Sequence, residues 1–105
     1  MYVVVREDLP FPAQCVQSAH AAISAARHFP PDSPHPNLVV CTTPNEASLR
    51  LACDAARTAG IRCHEFEEED LGGETTAFAT EQVAGPARRV FRKLPLLTGP
   101  VAVAA

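Results

Sequence analysis

Gln17 and His20 stand three residues apart in an alanine-rich segment with helical periodicity. At that spacing two side chains share one helix face, so an amide and an imidazole can reach the same cleft. An imidazole titrates near neutrality and can take a proton from water or return one to a leaving group, which makes His20 a candidate general base or acid. The same spacing also suits a histidine that simply fills a helix–sheet interface. Other candidates are weaker. Cys15 and His20 are five apart, which does not place thiol and imidazole on one helical face. No glycine-rich phosphate cradle occurs. The four cysteines (Cys15, Cys41, Cys53, Cys63) lack the C-x-x-C spacing of a zinc or redox motif and read as small apolar residues. The run Glu65 to Asp70 is first a solvated acidic loop, and no metal site is expected. His28, His35 and His64 are scattered and receive no role. The cations available for a phosphate are Arg6 at the end of the first strand and the cluster Arg88, Arg89, Arg92 and Lys93 near the C-terminus.

The elements that must position these residues can be read in order. Tyr2 to Val5 is a β-branched and aromatic run, the composition of a buried strand. Leu9-Pro10-Phe11-Pro12 breaks the chain and presents Pro12 to the first turn of a helix, which runs from Ala13 to about His28. Val16, Ala19, His20, Ile23 and Ala26 form its apolar stripe, and the helix ends before the four prolines between residues 30 and 36. Leu38 to Cys41 predicts a second strand. Thr42 or Thr43 can cap a second helix, which begins near Pro44 and Asn45, repeats Ala47, Leu51, Ala55 and Ala59 beside Cys53, and stops at Gly60. Ile61 to Phe66 predicts a third strand with one wet face, Glu67 to Gly73 a charged turn, and Thr75 to Thr80 a fourth strand whose short link demands antiparallel pairing. A last helix starts near Pro86 and turns Val90, Phe91 and Leu94 inward.

The expected architecture is a three-layer α/β/α sandwich on a mixed four-stranded sheet, in the order β-α-β-α-β-β-α. A chain of 105 residues has room for one domain, expected over residues 1–97, with residues 98–105 as a tail. No apolar run approaches the roughly 20 residues of a membrane helix, and Met1 leads into a strand rather than a signal core, so a cytoplasmic location without membrane partners is expected. A net charge of −3 offers little general attraction for nucleic acid, so any such contact must be local.

Val3-Val4-Val5-Arg6-Glu7-Asp8-Leu9, Gln17-Ser18-Ala19-His20-Ala21-Ala22 and Asp70-Leu71-Gly72-Gly73 follow one another along the chain, and that series of islands resembles the type 2 peptidyl-tRNA hydrolases. Gln17-Ser18-Ala19-His20-Ala21-Ala22 resembles the family's Gln-x-x-His-Ala signature on its first helix. Val3-Val4-Val5-Arg6-Glu7-Asp8-Leu9 is similar to its hydrophobic strand ending in Arg-x-Asp-Leu. Asp70-Leu71-Gly72-Gly73 stands where the family has an Asp-x-Gly turn, Thr76 corresponds to a strand threonine, and Leu94, Leu96 and Leu97 resemble its ending. The resemblance spans residues 2 to 97 with order kept. It implies hydrolysis of the ester joining a peptide to the terminal ribose of tRNA, without a cofactor and with water as nucleophile. It also implies a catalytic set of His20 as general base, Asp70 as orienter or charge partner and Thr76 as hydrogen-bond donor to carbonyl or ribose. Substrate binding then falls to Gln17, Arg6, Arg88, Arg89, Arg92 and Lys93, with tRNA as partner and a homodimer as the family's common assembly. The chain departs from the pattern where the family has a glycine- and lysine-rich stretch before the helix: here stands Leu9-Pro10-Phe11-Pro12-Ala13. A non-catalytic binding domain of the same fold, recognising a protein or an RNA end, is the competing expectation.

Overall fold

A computed structural model describes residues 1–99 of the chain. β1 (Tyr2–Arg6) is buried at every position, as an uninterrupted Tyr-Val-Val-Val run at the centre of a sheet must be. α1 (Phe11–His28) leads to β2 (Val39–Thr43), and α2 (Glu46–Thr58) to β3 (Cys63–Glu68). A 3-10 turn over Glu69–Leu71 then connects to β4 (Glu74–Thr80), and a 3-10 helix over Gly85–Phe91 closes the order. The sheet order is β2-β1-β4-β3. β1 and β2 pair in parallel across the α1 crossover, whereas β4 runs antiparallel to both β1 and β3. The tight β3–β4 link needs two successive left-handed residues, supplied by Gly72 (φ 70°) and Gly73 (φ 79°), where a Cβ would be strained.

Strand alternation splits the core in two. Val3, Val5, Ala77 and Ala79 meet Ala21 and Ala25 of α1 on one face. Tyr2, Val4 and Phe78 meet Leu49, Cys53 and Ala56 of α2, together with Phe91, on the other. Burying a residue the size of Phe78 stabilises the fold by about 1.5–3 kcal/mol. The last 3-10 helix belongs to the α2 layer, with Phe91 stacked on Tyr2 at a centroid distance of 4.1 Å. The segment after it pairs with the β2 edge: Thr42 N–H donates to the Pro95 carbonyl (2.8 Å) and Leu97 N–H to the Val40 carbonyl (2.9 Å). That edge is thereby blunted.

The three-layer α/β/α architecture on a mixed four-stranded sheet is thus the one expected, and the differences are local. The final helix is 3-10 rather than α. β3 begins two residues later and continues through Glu68, so Glu67 and Glu68 belong to the strand and not to the turn. Both helices are rotated from their expected stripes. The buried face of α1 is Gln14, Gln17, Ser18, Ala21 and Ala25, while Val16 and Ile23 stand about half exposed (51% and 54%). In α2 the buried residues are Leu49, Cys53 and Ala56, and Leu51 is exposed. Small side chains let α1 lie close to the Val/Ala surface of the sheet, and its glutamines find partners there. Of the expected tail, residues 100–105 lie outside the described residues.

Candidate functional site

The site lies where α1 crosses β3 and β4. On β3, His64, Phe66 and Glu68 alternate toward α1, each meeting a residue of that helix. On β4 the alternation breaks: Phe66 pairs with Ala77 but Glu67 with Thr75, leaving Thr76 as the extra residue of a β-bulge. A bulge re-aims a side chain that strict alternation sends to the other face. Thr76 accordingly reaches α1, and its hydroxyl donates to Gln17 Oε1 at 2.6 Å.

Gln17 is held at both ends of its amide. Oε1 accepts from Thr76, and Nε2 donates to Glu68 Oε2 at 2.9 Å. Glu68 in turn accepts from the Asp70 backbone N–H through Oε1 at 3.4 Å, capping the 3-10 turn that carries Asp70. The Gln17 hydrogen bond holds the Glu68 carboxyl below the usual carboxylate range, helped by the Asp70 N–H and by the proximity of His20. One turn along α1 from Gln17, the His20 ring stacks on Phe66, nearly parallel at 8° with centroids 5.0 Å apart. His20 is exposed, and Val16 and Ile23 flank it along the same helix face, so the imidazole sits inside an exposed apolar stripe.

The expected catalytic residues therefore fall in one neighbourhood, although they are linked through Gln17 and Glu68 rather than to one another. Thr76 is fully buried and spends its hydroxyl proton on Gln17. That geometry makes it a positioning residue, not the expected donor to a substrate carbonyl or ribose. Asp70 is exposed on the turn. Gln17, expected to bind substrate, is buried and orients Glu68.

The expected cations lie elsewhere. Arg6 is only 8% exposed, and its guanidinium donates to both carboxylate oxygens of Asp8, to Glu74 and to the Thr75 carbonyl. It fastens the end of β1 to β4 instead of facing solvent. Arg88, Arg89, Arg92 and Lys93 are exposed in or just beyond the C-terminal 3-10 helix, on the α2 side of the sheet, with Arg88 Nε donating to Tyr2 Oη at 3.1 Å. His20 is on the α1 side, so the structure does not bring this cluster to it. Sequence reading missed Glu68 and Phe66, which lay hidden in an acidic run; the period-2 series His64, Phe66, Glu68 was the available signal. Among the described residues, no group of three or more His, Cys, Asp or Glu side chains is arranged to hold a metal ion, and no helix is long and apolar enough to cross a membrane.

No protein-family model matches the chain. No curated protein matches it either. Among solved structures it is similar to a protein of unknown function from Agrobacterium tumefaciens, with a TM-score of 0.64 at 12% identity over 92% of this chain and 96% of that one. At that identity the likeness speaks to the fold alone.

Proposed function

We propose that this chain hydrolyses an aminoacyl-type ester, with peptidyl-tRNA as the substrate that its motif order resembles, and that His20 is the general base. The observation that supports this reading is the Thr76–Gln17–Glu68 hydrogen-bond chain, which fixes a carboxylate near an exposed imidazole one turn further along α1. Neutral His20 takes a proton from a water as the water oxygen attacks the ester carbonyl. The imidazolium that forms is stabilised by Glu68 and then returns its proton to the ribose oxygen as the C–O bond breaks. The stripe of Val16 and Ile23 gives an apolar acyl group or peptide a surface beside that base.

A second reading is favoured by a specific observation as well. The charged group placed near His20 is the carboxylate of Glu68, while the exposed cluster from Arg88 to Lys93 stands on the other face of the sheet. An exposed apolar stripe that carries a single arginine, Arg27, at its far end suits a non-catalytic domain that docks a protein. The two readings separate in one assay: release of the acyl group from N-acetylaminoacyl-tRNA, and from a tRNA-free N-acyl aminoacyl ester, by the chain and by His20→Ala. Turnover that His20→Ala reduces by two to four orders of magnitude fits general-base catalysis. Folded protein with no turnover on either ester sinks the hydrolase reading and leaves the docking domain.

A further inference from the structure

On the opposite face of β3 from Phe66, Cys63 packs against the cluster that contains Cys53 of α2. Cys53 is fully buried and Cys63 half-buried. Cys63 also lines an open cavity of about 380 Å³ together with Phe29, Arg57, Gly60, Ile61 and Arg62. One residue of the pair thus lines a concave site, its thiol also donating to the Ile61 carbonyl at 3.5 Å, and the other belongs to the buried cluster it packs on, the two thiols interacting side chain to side chain. Arg57 lies over the same spot, its Nη2 donating to the Cys63 carbonyl at 3.3 Å.

We propose that Cys53 and Cys63 form a reversible dithiol–disulfide pair, oxidised by a low-molecular-weight disulfide that enters the cavity at Cys63. The Cys63 thiolate attacks one sulfur of R–S–S–R, forms the mixed disulfide Cys63–S–S–R and releases R–S⁻, which takes up a proton. The Cys53 sulfur attacks the Cys63 sulfur, and its proton passes to the departing R–S⁻. The protein disulfide forms and the second thiol leaves. The protein loses two electrons and two protons, and the small disulfide gains them as two thiols.

The order of attack follows from the surroundings. The interaction with the Cys53 thiol lowers the Cys63 thiol and Arg57 adds to this, against the opposing effect of burial. The same interaction, with burial, pushes Cys53 up. Discharging Cys63 in the mixed disulfide removes that cause, so Cys53 becomes easier to ionise when it is needed.

The experiment is incubation of the full chain with oxidised glutathione at neutral pH, followed by intact mass and non-reducing peptide mapping. A Cys15→Ser background removes the exposed thiol of α1. The expected result is loss of two hydrogens, a peptide linking Cys53 to Cys63 and reversal by a reductant, with Cys53→Ser stopping at a glutathione adduct on Cys63. In the Cys15→Ser chain, no reaction, a glutathione adduct on Cys63 that is not resolved by Cys53, or linkage through Cys41 overturns the proposal, and if that variant fails to fold, adducts confined to Cys15 in the unsubstituted chain's peptide map overturn it equally.

Discussion

Thr76 and His20 separate stability from chemistry at the level of single side chains. Thr76→Val keeps the shape and removes one donor, leaving Gln17 Oε1 buried and unpaired. Such a group costs about 1–3 kcal/mol, which urea unfolding will register as a lower midpoint at unchanged slope. His20→Ala removes an exposed ring and its stack on Phe66, and costs no more than about 0.5–1.5 kcal/mol in the same measurement. A larger loss for His20→Ala than for Thr76→Val makes His20 a core histidine. Glu68 adds a pH dependence. Its folded pKa lies below its unfolded one, so the ionised form stabilises the fold. That contribution is present above the ordinary carboxylate pKa, about 4.3, and is lost as pH falls through the lower folded value. Unfolding free energy measured from pH 7 down to 3 will fall at the acid end, and Glu68→Gln will make that fall shallower; an unchanged acid limb means that Glu68 is not held as described. The Gln17–His20 spacing was legible in the sequence. Thr76 was legible only through the family resemblance, because its aim depends on a bulge with no local signature. Glu68 was obscured because four consecutive acidic residues read as solvent-facing before they read as a strand end.

The elements themselves were legible wherever side-chain chemistry fixes the backbone. Asn45 accepts from the Ser48 N–H, and the Ser48 hydroxyl receives the Asn45 N–H in return, a reciprocal cap that starts α2 close to the expected place but not on the expected cap, since Thr42 and Thr43 belong to β2. Asn45→Ala will cost about 0.5–2 kcal/mol, checked by thermal or chemical unfolding, and a neutral effect means that tertiary contacts alone hold the helix start. What the sequence concealed was rotation. An alanine-rich helix offers two adjacent stripes, and choosing the larger apolar residues selected Val16 and Ile23, whereas the sheet takes the small ones. The β2 edge was hidden for a related reason: Pro95 and Leu97 meet it through backbone groups, which no side-chain pattern announces.

At the scale of the whole molecule, the sheet separates His20 from the C-terminal cluster of cations. Its α1 side carries His20 with Glu68 close by, and its α2 side carries the exposed Arg88, Arg89, Arg92 and Lys93. The lysines that the resemblance leads one to expect before α1 are replaced by Leu9-Pro10-Phe11-Pro12-Ala13, and the net charge is −3. An enzyme that grips phosphates loses affinity as salt rises, with a logarithmic slope of about −0.7 to −0.9 for each phosphate neutralised. With a net charge of −3 and Glu68 near the proposed base His20, against Arg27 two turns along the same helix face, a tRNA ester is repelled on approach, and salt relieves the repulsion as the Debye length shortens to about 10 Å near 0.1 M. The kcat/KM for N-acetylaminoacyl-tRNA is therefore expected to rise from low to moderate salt, while that for a tRNA-free ester stays level. A steep fall for the tRNA substrate alone means that the RNA reaches the cations on the α2 side. Its acceptor end must then pass around the sheet edge to His20, and substitution of Arg88 or Arg92 will flatten the slope by about one phosphate each.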